Sequence, residues 1–166
     1  KISGMIANGD LDAVTRNLKK AIVASINLVM PFIALCFVFA PQGIQILFER
    51  GAFDETATVM TAGALRFYCI GILFHTIREI VSRVFFASGN TKIPMRVTVI
   101  SVIVNVVFNI LLAQIWGLNG VAFASTISAA VSMLVTVYWL KKEKVSIDIL
   151  FCVKTLFRSF LLIAPA

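Results

Sequence analysis

Between Val97 and Leu140 no side chain carries a charge. The run is punctuated once, by Trp116-Gly117-Leu118-Asn119-Gly120, whose glycines and asparagine read as a tight turn. Each flanking segment, 93–115 and 117–140, is long enough as a helix to cross about 30 Å of hydrocarbon at about 1.5 Å per residue. Ser101, Asn105 and Asn109 recur at every fourth position of the first segment, and Ser125, Ser128 and Ser132 at steps of three and four in the second. Each set is one stripe on a helix. Two helices that are apolar outside, with amides and hydroxyls on one face each, form a membrane pair joined by a polar seam.

The whole chain has the same character. Apolar residues make up 60% of its 166 positions, against roughly 45–50% in a soluble domain. Mean hydropathy is +0.97, and charged residues are only 14%, too few to clothe a soluble surface. About five membrane spans fit at roughly 20 residues each, so the fold class is an all-α integral membrane protein. The net charge of +7 does not indicate nucleic acid, because the basic residues sit between apolar segments rather than in a patch. Cys36, Cys69 and Cys152 lie far apart in apolar runs and read as packing residues, with neither metal nor disulfide spacing. His75 is the single histidine, which excludes a multi-histidine metal centre within the chain.

In chain order, residues 1–17 form a polar cytoplasmic segment with a short helix, opened by a Gly9-Asp10 turn and cap. A transmembrane helix follows over 18–40, with Pro31 tolerated inside it as a kink. Residues 41–57 read as an external amphipathic connector, with Asp54 or Thr56 capping the next helix. The span over 58–87 carries Arg66, His75, Arg78, Glu79 and Arg83. Charges at this depth face protein or a water-filled cavity. Helical spacing pairs Glu79 with Arg83 or Arg78 as a structural ion pair, and puts His75 on the same face as Glu79. Pro94 opens the next span, and a further helix begins over 149–166. The chain starts without methionine and stops inside an apolar run at Ile163-Ala164-Pro165-Ala166. It is expected to be part of a longer protein, whose N-terminal half would be its partner.

Twelve of the 15 basic residues fall on one set of alternate connectors and helix ends, those around residues 1–20, 83–96 and 141–158. The opposite connectors hold only Arg50, while Arg66 and Arg78 lie within a span. By the positive-inside rule the N-terminus, the 88–96 turn and the 141–148 loop are cytoplasmic, and the 48–54 connector and 116–120 turn face outward.

Four motifs in register then resemble the MurJ (MviN) family of lipid II flippases. The first is the connector Leu47-Phe48-Glu49-Arg50-Gly51-Ala52-Phe53, similar to the family's L-F-x-R-G-x-F. Tyr68-x-x-Gly71 follows, and then Arg83-Val84-Phe85-Phe86-Ala87 with Asn90-Thr91-Lys92-x-Pro94. The last is Asn105-x-x-x-Asn109 with Gly117-Leu118-x-Gly120-Val121-Ala122-x-Ala124-Ser125. The structural connector residues of the signature are Phe48, Arg50, Gly51 and Phe53. The resemblance implies that the chain corresponds to about the ninth to thirteenth helices of a 14-helix, two-lobe transporter of the multidrug/oligosaccharidyl-lipid/polysaccharide exporter superfamily. It also implies a multi-pass protein of the bacterial cytoplasmic membrane, and alternating-access transport of the undecaprenyl-linked peptidoglycan precursor for cell-wall synthesis.

Its partners would then be lipid II or a similar lipid-linked substrate and membrane lipid, with the substrate-gripping cations on helices before Lys1. No organic cofactor is implied. The resemblance does place a cation site, holding sodium, at the Asn105 and Asn109 side chains, the Val121 carbonyl and the Ser125 hydroxyl. Asn109 stands where the family pattern can hold a carboxylate, so this site would be built from neutral oxygens. Other readings are an O-antigen or other lipid-linked oligosaccharide flippase of the same fold, which would lack the R-G-x-F connector, and a non-transporting membrane scaffold. A membrane enzyme would show paired acids or a His/Asp cluster at one interface; His75 and Glu79 alone do not supply it.

Overall fold

A computed structural model describes residues 11–51, 53–143, 145, 151 and 154–155. The Gly9-Asp10 turn, Ala52, Lys144, Cys152, Arg158 and nearly all of the helix expected over 149–166 lie outside these residues. The described residues form four helical runs: α1 (Leu11–Val38), α2 (Ala40–Phe48), α3 (Glu55–Ala87) and α4 (Lys92–Lys142). Runs α1, α3 and α4 are each long and apolar enough to cross a membrane.

Helix α1 extends further towards the N-terminus than expected. The sequence reading separated a polar segment over 1–17 from a span over 18–40, whereas one helix runs through both from Leu11. The cause is its buried stripe Val14, Leu18, Ile22, Ile26, Met30 and Ile33, which begins before the apolar composition does. Spaced mostly by four, these side chains stay on one face, and those from Val14 to Met30 form the core with Ile77, Val81 and Phe85 of α3.

The connector expected over 41–57 is also redrawn. Residues 40–48 continue as α2 after a bend at Phe39, with Ala40 and Ile44 buried against Ala62 and flanked by Phe53 and Leu65. Pro41 sits in the first turn of α2, where its missing N–H costs one bond of the helical ladder and not the helix. The link that remains is short and runs from Glu49 to Asp54, where Asp54 caps α3 by accepting the Ala57 N–H at 2.9 Å.

Helix α3 is the hub: α1 and α2 pack against it, and so does α4. Run α4 contains Gly117, whose φ of 54° and ψ of −129° interrupt the helical geometry. A straight helix would separate Ser101 from Ser128 by about 40 Å. Their hydroxyls instead lie 2.8 Å apart. Asn105 meets Ser125, so the two arms, 92–116 and 118–142, fold back antiparallel as a hairpin. A side chain at Gly117 would need backbone angles that L residues avoid. Gly120 is needed for space: a Cβ there would run into the Leu112 carbonyl, because the returning arm touches backbone at this point.

The second arm is the more buried. Its Ala122, Ala124, Thr126, Ser128, Ala129, Ser132 and Thr136 are small residues that allow close helix approach. The first arm leaves Val99, Val102, Ile103, Val106, Val107, Ile110 and Leu111 exposed, an apolar face suited to lipid. Substituting Gly120→Ala is expected to destabilise the protein by about 1–3 kcal/mol through overpacking. Gly43→Ala, with nothing within 4 Å of the new Cβ, is expected to be neutral or stabilising, and thermal unfolding in detergent compares the two.

Candidate functional site

The hairpin brings its polar stripes together as one hydrogen-bonded seam. Farthest from the turn, the Ser128 hydroxyl donates to the Ser101 carbonyl at 2.8 Å and also meets the Ser101 hydroxyl. Above it the Asn105 Nδ2 donates to Ser125 Oγ at 3.2 Å, and Ser125 Oγ donates to the Val121 carbonyl at 3.2 Å. Asn109 Nδ2 donates to Asn105 Oδ1 at 2.9 Å. Asn105, Asn109, Val121 and Ser125 are therefore contiguous, as four-residue steps on two antiparallel helices require. One atom of the seam has no partner: Asn109 Oδ1 is buried and accepts no hydrogen bond. A buried amide oxygen left this way costs about 1–3 kcal/mol.

Chemically the seam is a set of neutral oxygen donors held between two helices. Ser132 does not join it, since its hydroxyl bonds back to the Ala129 carbonyl. The second arm is tied to α3 by a different bond, from Thr126 Oγ1 to the Phe67 carbonyl at 2.7 Å. The Asn119 amide lies over Gly63, where a Cβ would come within 2.8 Å of Asn119 Oδ1. Phe67, Phe123 and Trp116 stack in a tilted row beside it.

The connector residues Phe48, Arg50, Gly51 and Phe53 form a tight turn. Phe48 and Phe53 face each other with ring centroids 6.3 Å apart. The Arg50 N–H and carbonyl close the turn against Phe48 and Phe53. Gly51 takes the left-handed position, with φ at 62°. Glu49 accepts from the Thr58 hydroxyl at 2.9 Å, fastening the connector to α3.

The charged residues of α3 take separate paths. Arg66 Nε donates to the Phe37 carbonyl at 3.1 Å, and its guanidinium lies over the Phe37 ring. This is the carbonyl that an N–H at position 41 would have satisfied, and Pro41 has none. Sequence reasoning missed the pairing because the two residues lie on different helices; the signal was a proline four positions after an unpaired carbonyl. The ion pair expected for Glu79 does not form. Among the described residues Glu79 makes no hydrogen bond or ion pair, and Arg78 turns instead to the first arm, donating from Nη2 to Thr98 Oγ1 at 2.8 Å. That bond draws Arg78 to the side of the helix that packs on α4. Cys36 and Cys69, expected to be packing residues, are free thiols, half-buried on α1 and buried on α3.

A family model described as "Lipid II flippase MurJ" matches residues 1–166. The chain is 28% identical over 160 residues to the probable lipid II flippase MurJ of Rickettsia prowazekii, covering 94% of this chain and 32% of that protein. It is 29% identical over 126 residues to the lipid II flippase MurJ of Thermosipho africanus, covering 75% of this chain and 26% of that one. A solved structure titled "Lipid II flippase MurJ, inward closed conformation" superposes with a TM-score of 0.79 at 24% identity, over 99% of this chain and 34% of its own. That likeness shows a shared fold. The chain spans about a third or less of the length of these relatives.

The Arg66–Phe37 bond makes a prediction specific to its cause. Arg66→Met is expected to lower stability by about 1–2 kcal/mol. In a Pro41→Ala background, where residue 41 regains its N–H, the same change should cost less. Thermal unfolding of the four proteins of this double-mutant cycle measures the difference.

Proposed function

The chain belongs to the MurJ family of lipid II flippases, and we propose from this membership that it forms part of one lobe of a transporter for undecaprenyl-linked peptidoglycan precursor. On this reading the complete protein works in the bacterial cytoplasmic membrane, moves lipid II from the inner to the outer leaflet, and is a transporter and not an enzyme. The single observation that carries the reading is the family match along the entire chain. The hairpin supports it: a lobe that rocks as a unit between two access states needs helices locked to one another. Here that locking comes from small residues and cross-helix hydrogen bonds. Depleting the complete protein is expected to trap lipid-linked precursor in the inner leaflet and to stop wall synthesis. An unchanged leaflet distribution with normal wall synthesis would sink the transport reading.

The same reading includes a sodium ion at the seam. Amide, carbonyl and hydroxyl oxygens are the donors that unwound or facing membrane helices offer to sodium. Asn109 Oδ1, Asn105 Oδ1, the Val121 carbonyl and Ser125 Oγ are such donors, and the partnerless Asn109 Oδ1 is the oxygen a cation would satisfy. When bound, the ion supplies a positive charge that ties the two arms together. Because every donor is neutral, binding is expected to be weak. Sodium should raise the melting temperature of the purified complete protein, and Asn109→Leu should abolish that increase; potassium in place of sodium is the control.

A further inference from the structure

The hydrogen bonds of the seam all point one way. Asn109 Nδ2 donates to Asn105 Oδ1 at 2.9 Å, Asn105 Nδ2 to Ser125 Oγ at 3.2 Å, and Ser125 Oγ to the Val121 carbonyl at 3.2 Å. Each oxygen is filled by a proton from the group before it, and the chain runs from the first arm into the second. It starts at residue 109, where only a group with an N–H can supply the first proton. An ionised carboxylate there would be an acceptor only, and would set oxygen against Asn105 Oδ1. The chain therefore exists because this position holds an amide. The amide's own oxygen is left over: Asn109 Oδ1 is buried and without a partner.

The three oxygens filled in this way, on Asn105, Ser125 and Val121, are ones that the sodium reading above assigns to the ion. Their protons bring partial positive charge to the place where the ion's charge would act. We propose that the Asn109 amide takes the part of the cation in the ion-free protein, and that sodium enters by displacing its N–H from Asn105 Oδ1. The amide turns as it is displaced, and its unpartnered oxygen faces the ion. The exchange rests on the sodium reading; the amide link across Asn109 and Asn105 does not. A relay of hydrogen bonds polarises along its length and holds better than its separate links would. The two arms thus stay paired without an ion, where a carboxylate at 109 would leave them dependent on one. Sodium must also compete with a bond already made, a second reason for weak binding beside the neutral donors.

The test reads thermal unfolding of the complete purified protein in potassium chloride and in sodium chloride. In potassium, Asn105→Ala and Asn109→Ala should be non-additive: once one is made, the other costs less, because their link is already gone. Additive losses would overturn the amide link. In a sodium titration, Asn109→Asp has no proton to give Asn105 and adds a charge for the ion. It should reach half of its stabilisation at about a tenfold lower sodium concentration than the native protein. A native protein that responds to sodium, with Asn109→Asp responding at the same concentration, would overturn the exchange and leave the sodium reading intact. No response in either protein would remove the sodium reading and the exchange with it. Should Asn109→Asp fail to fold, the native protein with isotope-labelled asparagine amides decides by nuclear magnetic resonance. The side-chain amide signal that Asn109→Ala lacks should shift when sodium replaces potassium. An unmoved signal in a protein that sodium stabilises would overturn the exchange.

Discussion

The close return of the hairpin at Gly117 and Gly120 is the constraint on which the polar seam depends. Uncharged apolar helices in lipid have little reason to choose one neighbour over another, because the tails are as apolar as their side chains. What fixes the pairing here is geometry at the turn. Gly117 reverses the chain in a conformation closed to other residues, and Gly120 lets the second arm approach the Leu112 carbonyl at backbone distance. Once the arms start that close, the register between them is fixed. Ser101 then finds Ser128, and Asn105 finds Ser125. The seam is thus a consequence of the turn, and its hydrogen bonds hold a register already chosen.

Much of this was legible in the sequence because it depends on periodicity within a short stretch. Steps of three and four define a helical face, and the glycines around residue 118 define where the chain turns. Together they give the hairpin and its polar lining, while the grouping of Asn105, Asn109, Val121 and Ser125 came from the family resemblance. The connector boundary was less legible. A proline after a long apolar run can end a helix or merely bend it, and the outcome depends on whether the following residues find something to bury against. Here Ala40 and Ile44 find Ala62 on α3, so the helix resumes.

The charged residues were read least well, and the physical reason is common to all of them. Along one helix, spacing favours Glu79 with Arg83 or Arg78. That preference is worth only a few tenths of a kcal/mol, and contacts to other helices outweigh it. Arg66 goes to a carbonyl 29 positions earlier, Arg78 to a hydroxyl 20 positions later. Neither partner is charged, so no pattern of opposite signs could reveal it. Both are oxygens left with spare capacity by a proline or by a threonine bonded back to its own helix. In a membrane, an unsatisfied backbone oxygen is as strong an attractor for an arginine as a distant carboxylate.

These assignments divide the lobe by the kind of polarity each surface carries. Neutral hydroxyls and amides lie between the arms, where each cross-helix bond contributes on the order of 0.6 kcal/mol and no charge must be desolvated. Full charges stand on the exposed face of α3 or reach across to a backbone carbonyl and a threonine hydroxyl. A body that moves as one unit benefits from this division. Contacts between neutral groups depend little on the dielectric of what surrounds the body, so the seam between the arms keeps its strength whatever the outer face of α3 meets. Had Glu79 or Arg78 been placed in the seam, a charge would have had to be desolvated between the arms, and the packing would have varied with the hydration of the outer face.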